Sequence, residues 1–334
     1  MNYAELIQAW CRLLRAAPAD IGVLLMRGPY QYKHYQIEKR TGGKRDIYHP
    51  SPNLKAVQRW LVSEHFSKLP VHDSVYSYRI GRGIRDHAKL HIHSNFLLRL
   101  DFKDFFPSIN HDWVLRFLLD CSERGVLSLD ARAIAAVMRV VCRFSKFDRS
   151  LALSIGAPSS PALSNTILFE ADQAASARCA ALDCVYSRYA DDIYVSCRDK
   201  EVLGQAERQV RDVFHQTAPS LRFNEDKTLN VSKKARRVVT GLTITPDRSI
   251  SVGRELKRSI KTQVYLYIEG SLPREDVPHL CGLVSYVRDV EPAFFDALTR
   301  KFGPEQLENL YRNEPGTALR STGTSRLNGS NRKD

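Results

Sequence analysis

The sequence predicts an α+β fold on three observations. Helical and strand-like apolar patterns mix along the chain without regular strand–helix–strand alternation. A short apolar run closing on an acid, FLLRLD at residues 96–101, reads as a buried strand. Two β-rich runs flank a short acidic link in VYSRYADDIYVSC, residues 185–197.

The elements follow in order. Residues 1–30 place Leu6, Trp10, Leu13 and Leu14 at helical spacing and predict one or two leading helices. Residues 31–50 carry a Gly42-Gly43 turn between segments rich in Tyr, Ile and charge, which predicts a β-hairpin. Leu54, Val57, Leu61 and Phe66 return to helical spacing over 52–68. Asp112–Leu119 and Asp130–Val141 also read as helices. So does Ser164–Ala181, after a loop holding Gly156, Pro158 and Pro161. Arg237–Ile244 is a strand candidate, and helical patterns fill 252–268 and 290–312. From about residue 314 the composition turns to Ser, Thr, Gly, Asn and charge, which predicts disorder.

The chain has 334 residues, roughly two domains' worth, and 43% apolar content can fill a sizeable core. A wholly disordered or fibrous chain is excluded. No uninterrupted apolar 18-mer occurs, so a membrane partner is not expected. The N-terminus lacks a basic start and a small-residue cleavage site, unlike a secretory signal. Fifty Lys and Arg against 37 Asp and Glu give +13, which favours an acidic partner, most often nucleic acid; an inert basic surface is the alternative. The seven cysteines are scattered and form no CxxC, as expected in a reducing cytoplasm.

The acids carry the chemistry. Asp101 ends one strand-like run, and Asp191 and Asp192 fill the link between two others. Adjacent carboxylates repel unless a cation neutralises them. A hairpin tip with two acids beside a strand end with a third could hold two hard divalent cations, for which Mg2+ is suited. Two such ions, about 4 Å apart, activate an attacking oxygen and stabilise a leaving one in phosphoryl transfer. A solvated turn, where Asp is common, is the competing reading. Arg254, Lys257, Arg258 and Lys261 recur at three- and four-residue steps opposite Leu256, Ile260 and Val264. Such a helix can dock on its own domain and grip a phosphate backbone, or simply be solvated. In HAKLHIH, His87 and His91 could ligate zinc if helical, but no Cys or HExxH context supports this.

LDFKDFFPSI, GAPSSPALSN and YADD, in this order and spacing, resemble the palm motifs of reverse transcriptases over roughly residues 30–310. The resemblance implies a right-hand polymerase: fingers, a palm of small antiparallel sheet backed by helices, and a helical thumb. It divides the chain into a helical lead (1–30), fingers (31–100), palm with inserted fingers elements (101–245), thumb (246–313) and tail (314–334). It implies that Asp101, Asp191 and Asp192 are catalytic and bind two Mg2+ ions, with the Phe102 backbone carbonyl as a further ligand. It implies that Phe106 packs on the sugar of an incoming dNTP and rejects a 2′-hydroxyl. Lys44, Arg45 and Arg79 are then phosphate clamps of the fingers. Gly156 and Ala157 offer a close backbone surface to the nascent pair. The family's usual Pro-Gln before that glycine is replaced here by Ser154-Ile155. Lys227, in FNEDKTLN, matches the lysine that lies near the triphosphate.

HAKLH is similar to the NAxxH signature of retron reverse transcriptases, with His87 where Asn is usual, and Val239-Thr240-Gly241 matches their VTG signature. The resemblance implies that His87, His91 and the VTG residues bind a structured noncoding RNA, part of which is copied into RNA-linked single-stranded DNA. It also implies a role in antiphage defence with an effector protein. Two alternatives remain at this point: a non-enzymatic RNA-binding scaffold of the same shape, and a reverse transcriptase of another bacterial class.

Overall fold

A computed structural model describes residues 1–38 and 42–312. The chain forms two compact units, residues 1–240 and a second beginning at Gly241.

The first unit opens with helices α1 (Tyr3–Leu14) and α2 (Pro18–Arg27). Asn2 and Glu5 cap α1 reciprocally, and its apolar stripe buries Leu6 and Trp10. The expected hairpin follows as β1 (Tyr32–Glu38) and β2 (Lys44–Pro50), antiparallel in register. Helices α3 (Pro52–Glu64) and α4 (Ile84–Lys89) precede β3 (Phe96–Lys103). Short α5 (Phe105–Ser108) leads to α6 (His111–Glu123) and α7 (Ala131–Val141), with side-chain caps from Asn110 and Asp130 on the last two. A two-residue pair, β4 (Arg143–Phe144) and β5 (Leu151–Ala152), comes before α8 (Ser159–Ile167) and α9 (Phe169–Ala180). Then come β6 (Val185–Tyr189), β7 (Asp192–Cys197), α10 (Lys200–Thr217), β8 (Arg222–Phe223), β9 (Leu229–Ser232) and β10 (Arg237–Val239).

Strand β3 is the centre of the main sheet. It pairs antiparallel with β7 on one side and with β8 and β9 on the other. Its near-continuous apolar run fits a strand with both faces covered. Leu97, Leu98, Leu100 and Phe102 are buried, in a core shared with α9 and α10.

The second unit holds β11 (Leu242–Ile244) paired with β12 (Ile250–Ser251), then helices α11 (Arg254–Ile268), α12 (Val277–Val290), α13 (Pro292–Phe302) and α14 (Pro304–Arg312). Ile260, Val264, Leu280, Val284, Val287 and Leu298 form its interior.

Three expectations need correction. Ser164–Ala181 is two helices: α8 starts at Ser159, because Pro161 falls in its first turn, where a missing N–H costs nothing. It ends before Leu168, where the hydroxyls of Ser164 and Thr166 bond back to carbonyls of their own helix. Arg237–Ile244 is not one strand but β10 and β11, broken where Thr240 and Gly241 take positive φ of 46° and 86°. The pattern over 290–312 is the end of α12 and two further helices, restarted by Pro292 and Pro304, which suit a first helical position. Helices α10 and α12 were not expected; α12 carries Pro278 and Gly282, which disguise its period. The predicted tail lies outside the described residues.

Candidate active site

The turn between β6 and β7 builds the site. Tyr189 pairs with Asp192, leaving Ala190 and Asp191 as the link. The β3–β7 register sets Asp101 directly opposite Asp192. The Phe102 N–H donates to the Asp191 carbonyl at 3.1 Å, closing the turn onto β3. Asp101 therefore meets the adjacent pair Asp191–Asp192 at one end of the sheet.

Two of the acids have side-chain partners. Asp101 is buried, and its Oδ1 accepts from Lys227 Nζ at 2.8 Å and from Asn224 Nδ2 at 3.4 Å. The Asn224 N–H also donates to the Asp101 carbonyl at 2.7 Å, tying the FNEDK segment to the strand end. Asp192 Oδ1 accepts from Arg99 Nε at 3.0 Å and from Nη2 at 2.8 Å. Burial pushes the Asp192 carboxyl up to about 6; Arg99 opposes the shift and Asp191 adds to it. Burial also raises Asp191, helped by Asp101 and opposed by its own backbone, Lys227 and Arg45. Crowded, desolvated carboxylates of this kind are relieved by a cation. Their donors are all hard oxygens, which fits Mg2+. Among the described residues no three acidic, His or Cys side chains already stand in ligating geometry. Lys227 and Arg99 hold two of the acids.

The other predicted residues divide. Arg45 lies on β2, close enough to Asp191 to lower its proton affinity, and Lys44 is exposed beside it. Gly156 has φ +104°, and a Cβ there would stand 2.7 Å from the Tyr48 carbonyl oxygen. The Tyr48 N–H donates to the Ile155 carbonyl at 2.9 Å, so this loop is docked on the hairpin that bears Lys44 and Arg45. Ala157 is buried beneath it. Phe106 is half-buried, its ring 5.2 Å from Phe105. The Phe102 ring is core, packed on Phe105, Phe214 and Phe223. Arg79 is turned away from a clamp role: its Nη1 donates to the carbonyls of His72 (3.1 Å) and Val75 (3.3 Å), bracing its own loop.

The RNA-contact expectations need more correction. His87 and His91 are buried and neutral, not on a surface. His87 Nε2 and His91 Nε2 both hydrogen-bond Ser187 Oγ, at 2.7 and 2.8 Å, and His91 Nδ1 bonds Ser196 Oγ at 2.7 Å. They brace the back of the β6–β7 hairpin. Val239 is buried as well, while the Thr240 N–H donates to the Tyr194 hydroxyl at 3.2 Å and Gly241 is exposed. Arg254, Arg258 and Lys261 are exposed on α11, but Lys257 is spent on an ion pair with Glu291. The residues missed in the sequence are Arg99, Ser77 and the pair Asp172–Arg188. Arg99 alone carried a signal: two residues before Asp101, it shares that acid's face of the strand.

The chain matches the family model described as "Reverse transcriptase (RNA-dependent DNA polymerase)" over residues 37–244, more than half its length. It is 34% identical over 312 residues to the retron Ec83 reverse transcriptase of Escherichia coli, covering 91% of this chain and 97% of that one. It is 33% identical over 300 residues to the retron Ec73 reverse transcriptase of the same species, covering 86% and 92%. The chain belongs to the retron reverse transcriptases. It is therefore an RNA-directed DNA polymerase with the right-hand polymerase fold. Among solved structures, a telomerase of Candida albicans in complex with a fragment of telomeric RNA is similar at TM-score 0.45 and 14% identity, over 84% of this chain and 59% of that one. In this reverse transcriptase the acidic turn (YADD) and the segment docked on the β1–β2 hairpin (GAPSSP) both lie within the matched residues 37–244.

Proposed function

We propose that this reverse transcriptase copies part of a partner structured noncoding RNA into RNA-linked single-stranded DNA, with two Mg2+ ions held by Asp101, Asp191 and Asp192. The register that sets Asp101 opposite Asp192 and beside Asp191 carries this reading. When bound, the ions activate the priming hydroxyl and neutralise the pyrophosphate that leaves. The hydroxyl oxygen forms a bond to the α-phosphorus of the dNTP and its proton passes to solvent, while the bond from that phosphorus to the oxygen bridging to the β-phosphate breaks. Lys227, 55% exposed and already at the site, exchanges Asp101 for the triphosphate and supplies the proton that the leaving pyrophosphate takes up. Phe106 packs on the sugar, and Lys44 and Arg45 hold phosphates. Arg254, Arg258 and Lys261 contact the nucleic-acid backbone. The setting is the cytoplasm and the biological role is antiphage defence, together with an effector protein.

The test is incorporation of labelled dNTP on an RNA template with Mg2+. The unsubstituted chain is expected to extend a primer, and Asp191→Asn with Asp192→Asn to lower the rate by at least about 10³-fold. Undiminished synthesis by that double variant overturns the assignment of these acids. RNA covalently joined to DNA, recovered with the protein from its host, is the expected product. Phage plaque counts that are equal with and without the double substitution overturn the defence role.

A further inference from the structure

Both polar groups of Ala190 are held by buried side chains, one from the remote 74–77 loop and one from β6 itself. The Ala190 N–H donates to Ser77 Oγ at 2.8 Å. The Ala190 carbonyl accepts from Arg188 Nη1 at 3.0 Å. The same Nη1 reaches Asn165 Oδ1 at 3.2 Å, and Asn165 Nδ2 donates to the Ser77 carbonyl at 2.9 Å. These four contacts close a ring around the residue that precedes Asp191.

The ring is anchored from behind. Arg188 gives its Nε and Nη2 to Asp172 at 2.8 and 2.6 Å. Arg188 and Asp172 are both 0% exposed, and burying such a pair in low dielectric is costly unless its geometry is good. The backbone of Arg188 is held too: its N–H donates to the Ser74 carbonyl, and its carbonyl accepts from the Tyr76 N–H, each at 2.9 Å. Ala190 itself has φ +56°, a left-handed conformation that a residue with a Cβ keeps only when its surroundings impose it. The Phe102 N–H holds the Asp191 carbonyl from the β3 side, and the contacts at Ala190 hold the turn from the other side.

We propose that Ser77, Arg188 and Asn165, with Asp172 as counterion, form a positioning cradle that locks the Ala190 peptide and so aims the Asp191 carboxylate at the metal site. The cradle links three separate segments to the catalytic turn: the 74–77 loop, α8 and α9. Among the described residues its side chains make no hydrogen bond to Asp101, Asp191 or Asp192; they act through the backbone between Arg188 and Asp191, with the Arg188 charge also felt by Asp191. This inference rests on the metal-binding role proposed for Asp191.

Two variants disturb the cradle and one controls for stability. Ser77→Ala removes a single acceptor at constant shape. Arg188→Lys keeps the charge opposite Asp172 but loses the planar fork that also reaches Ala190 and Asn165. Tyr186→Phe removes the 2.7 Å bond from the Tyr186 hydroxyl to Asp172, a loss in the same cluster that does not reach the turn. Mn2+ binding to the full chain without nucleotide, followed by electron paramagnetic resonance, is measured beside kcat, KM for dNTP and melting temperature. Ser77→Ala and Arg188→Lys are expected to weaken Mn2+ binding about fivefold and lower kcat about tenfold, with KM for dNTP within about twofold. Tyr186→Phe is expected to lower the melting temperature and leave Mn2+ affinity unchanged. Unaltered Mn2+ affinity and kcat in Ser77→Ala overturn the cradle, as does an equal shift in Tyr186→Phe. If Arg188→Lys does not fold, Ser77→Ala decides alone. An unsubstituted chain that binds Mn2+ but makes no DNA counts against the proposed function and not against the cradle.

Discussion

Arg99 and Lys227 show how single residues govern the acids. Each spends its cationic group on one carboxylate, Arg99 on Asp192 and Lys227 on Asp101. Both cations are more than one-third exposed, so water screens the pairs and their share of stability is small. Their effect is on geometry. Arg99→Met frees the Asp192 carboxylate from two hydrogen bonds and is expected to lower the rate of dNTP incorporation at least about tenfold. Its melting temperature should fall by only a few degrees, since the contribution of a screened pair is about 1 kcal/mol at most. Parallel rate and melting measurements check this; a rate unaffected by the substitution removes Arg99 from the site. Lys227→Gln keeps a donor for Asp101 but no titrating proton. It is expected to slow a single turnover about 10²-fold while sparing primer–template affinity.

The element that joins the fingers-like hairpin to the site is the Ser154–Pro158 loop. Gly156 is needed there twice over: for its φ of +104° and for its approach to the Tyr48 carbonyl. Gly156→Ala is expected to cost about 1–3 kcal/mol in a denaturant titration, and to raise KM for dNTP by displacing the strand that carries Lys44 and Arg45. Gly22 and Gly204 lie within α2 and α10 with nothing within 4 Å of an added Cβ. Replacing either by Ala should instead stabilise by about 0.5–1 kcal/mol, because it removes backbone freedom in the unfolded chain. Opposite signs for these glycines are the expected result. The Gly-Gly hairpin, the FLLRLD strand and the two strands around YADD could be read from the sequence because each has a local pattern. The α8–α9 break could not, since it follows from side-chain hydroxyls competing for carbonyls within an apolar run.

Across the molecule, buried histidines make stability depend on pH. Burial lowers both His87 and His91 to about 3, against about 6.5 in an unfolded chain. Above pH 6.5 both states are neutral at these groups and no penalty exists. As pH falls from 6.5 toward 3, the unfolded state takes up protons that the folded state refuses. Stability should drop by up to about 1.4 kcal/mol per pH unit for each histidine. Melting temperature followed from pH 7 to 5 checks this, and His87→Asn should flatten the slope by about one proton. An unchanged slope in that variant contradicts the assignment. The net charge of +13 acts at the same scale. RNA affinity is expected to fall steeply with salt, and Arg258→Ala should reduce the slope by about 0.7–0.9 if it touches one phosphate.

The sequence alone determined the acids, the strand and hairpin that bear them, and the family. These depend on local pattern and on the order of short motifs, which survive without knowledge of the fold. The tertiary structure decided which partner each polar side chain takes. His87, His91 and Arg79 read as ligand contacts and are internal braces; Ser77 and Arg188 carry no local signal, Arg99 only its place on the face of Asp101, and all three surround the site. The reason is physical. A polar group excluded from water must find a partner, and that partner comes from strand register and helix packing between residues about 100 positions apart.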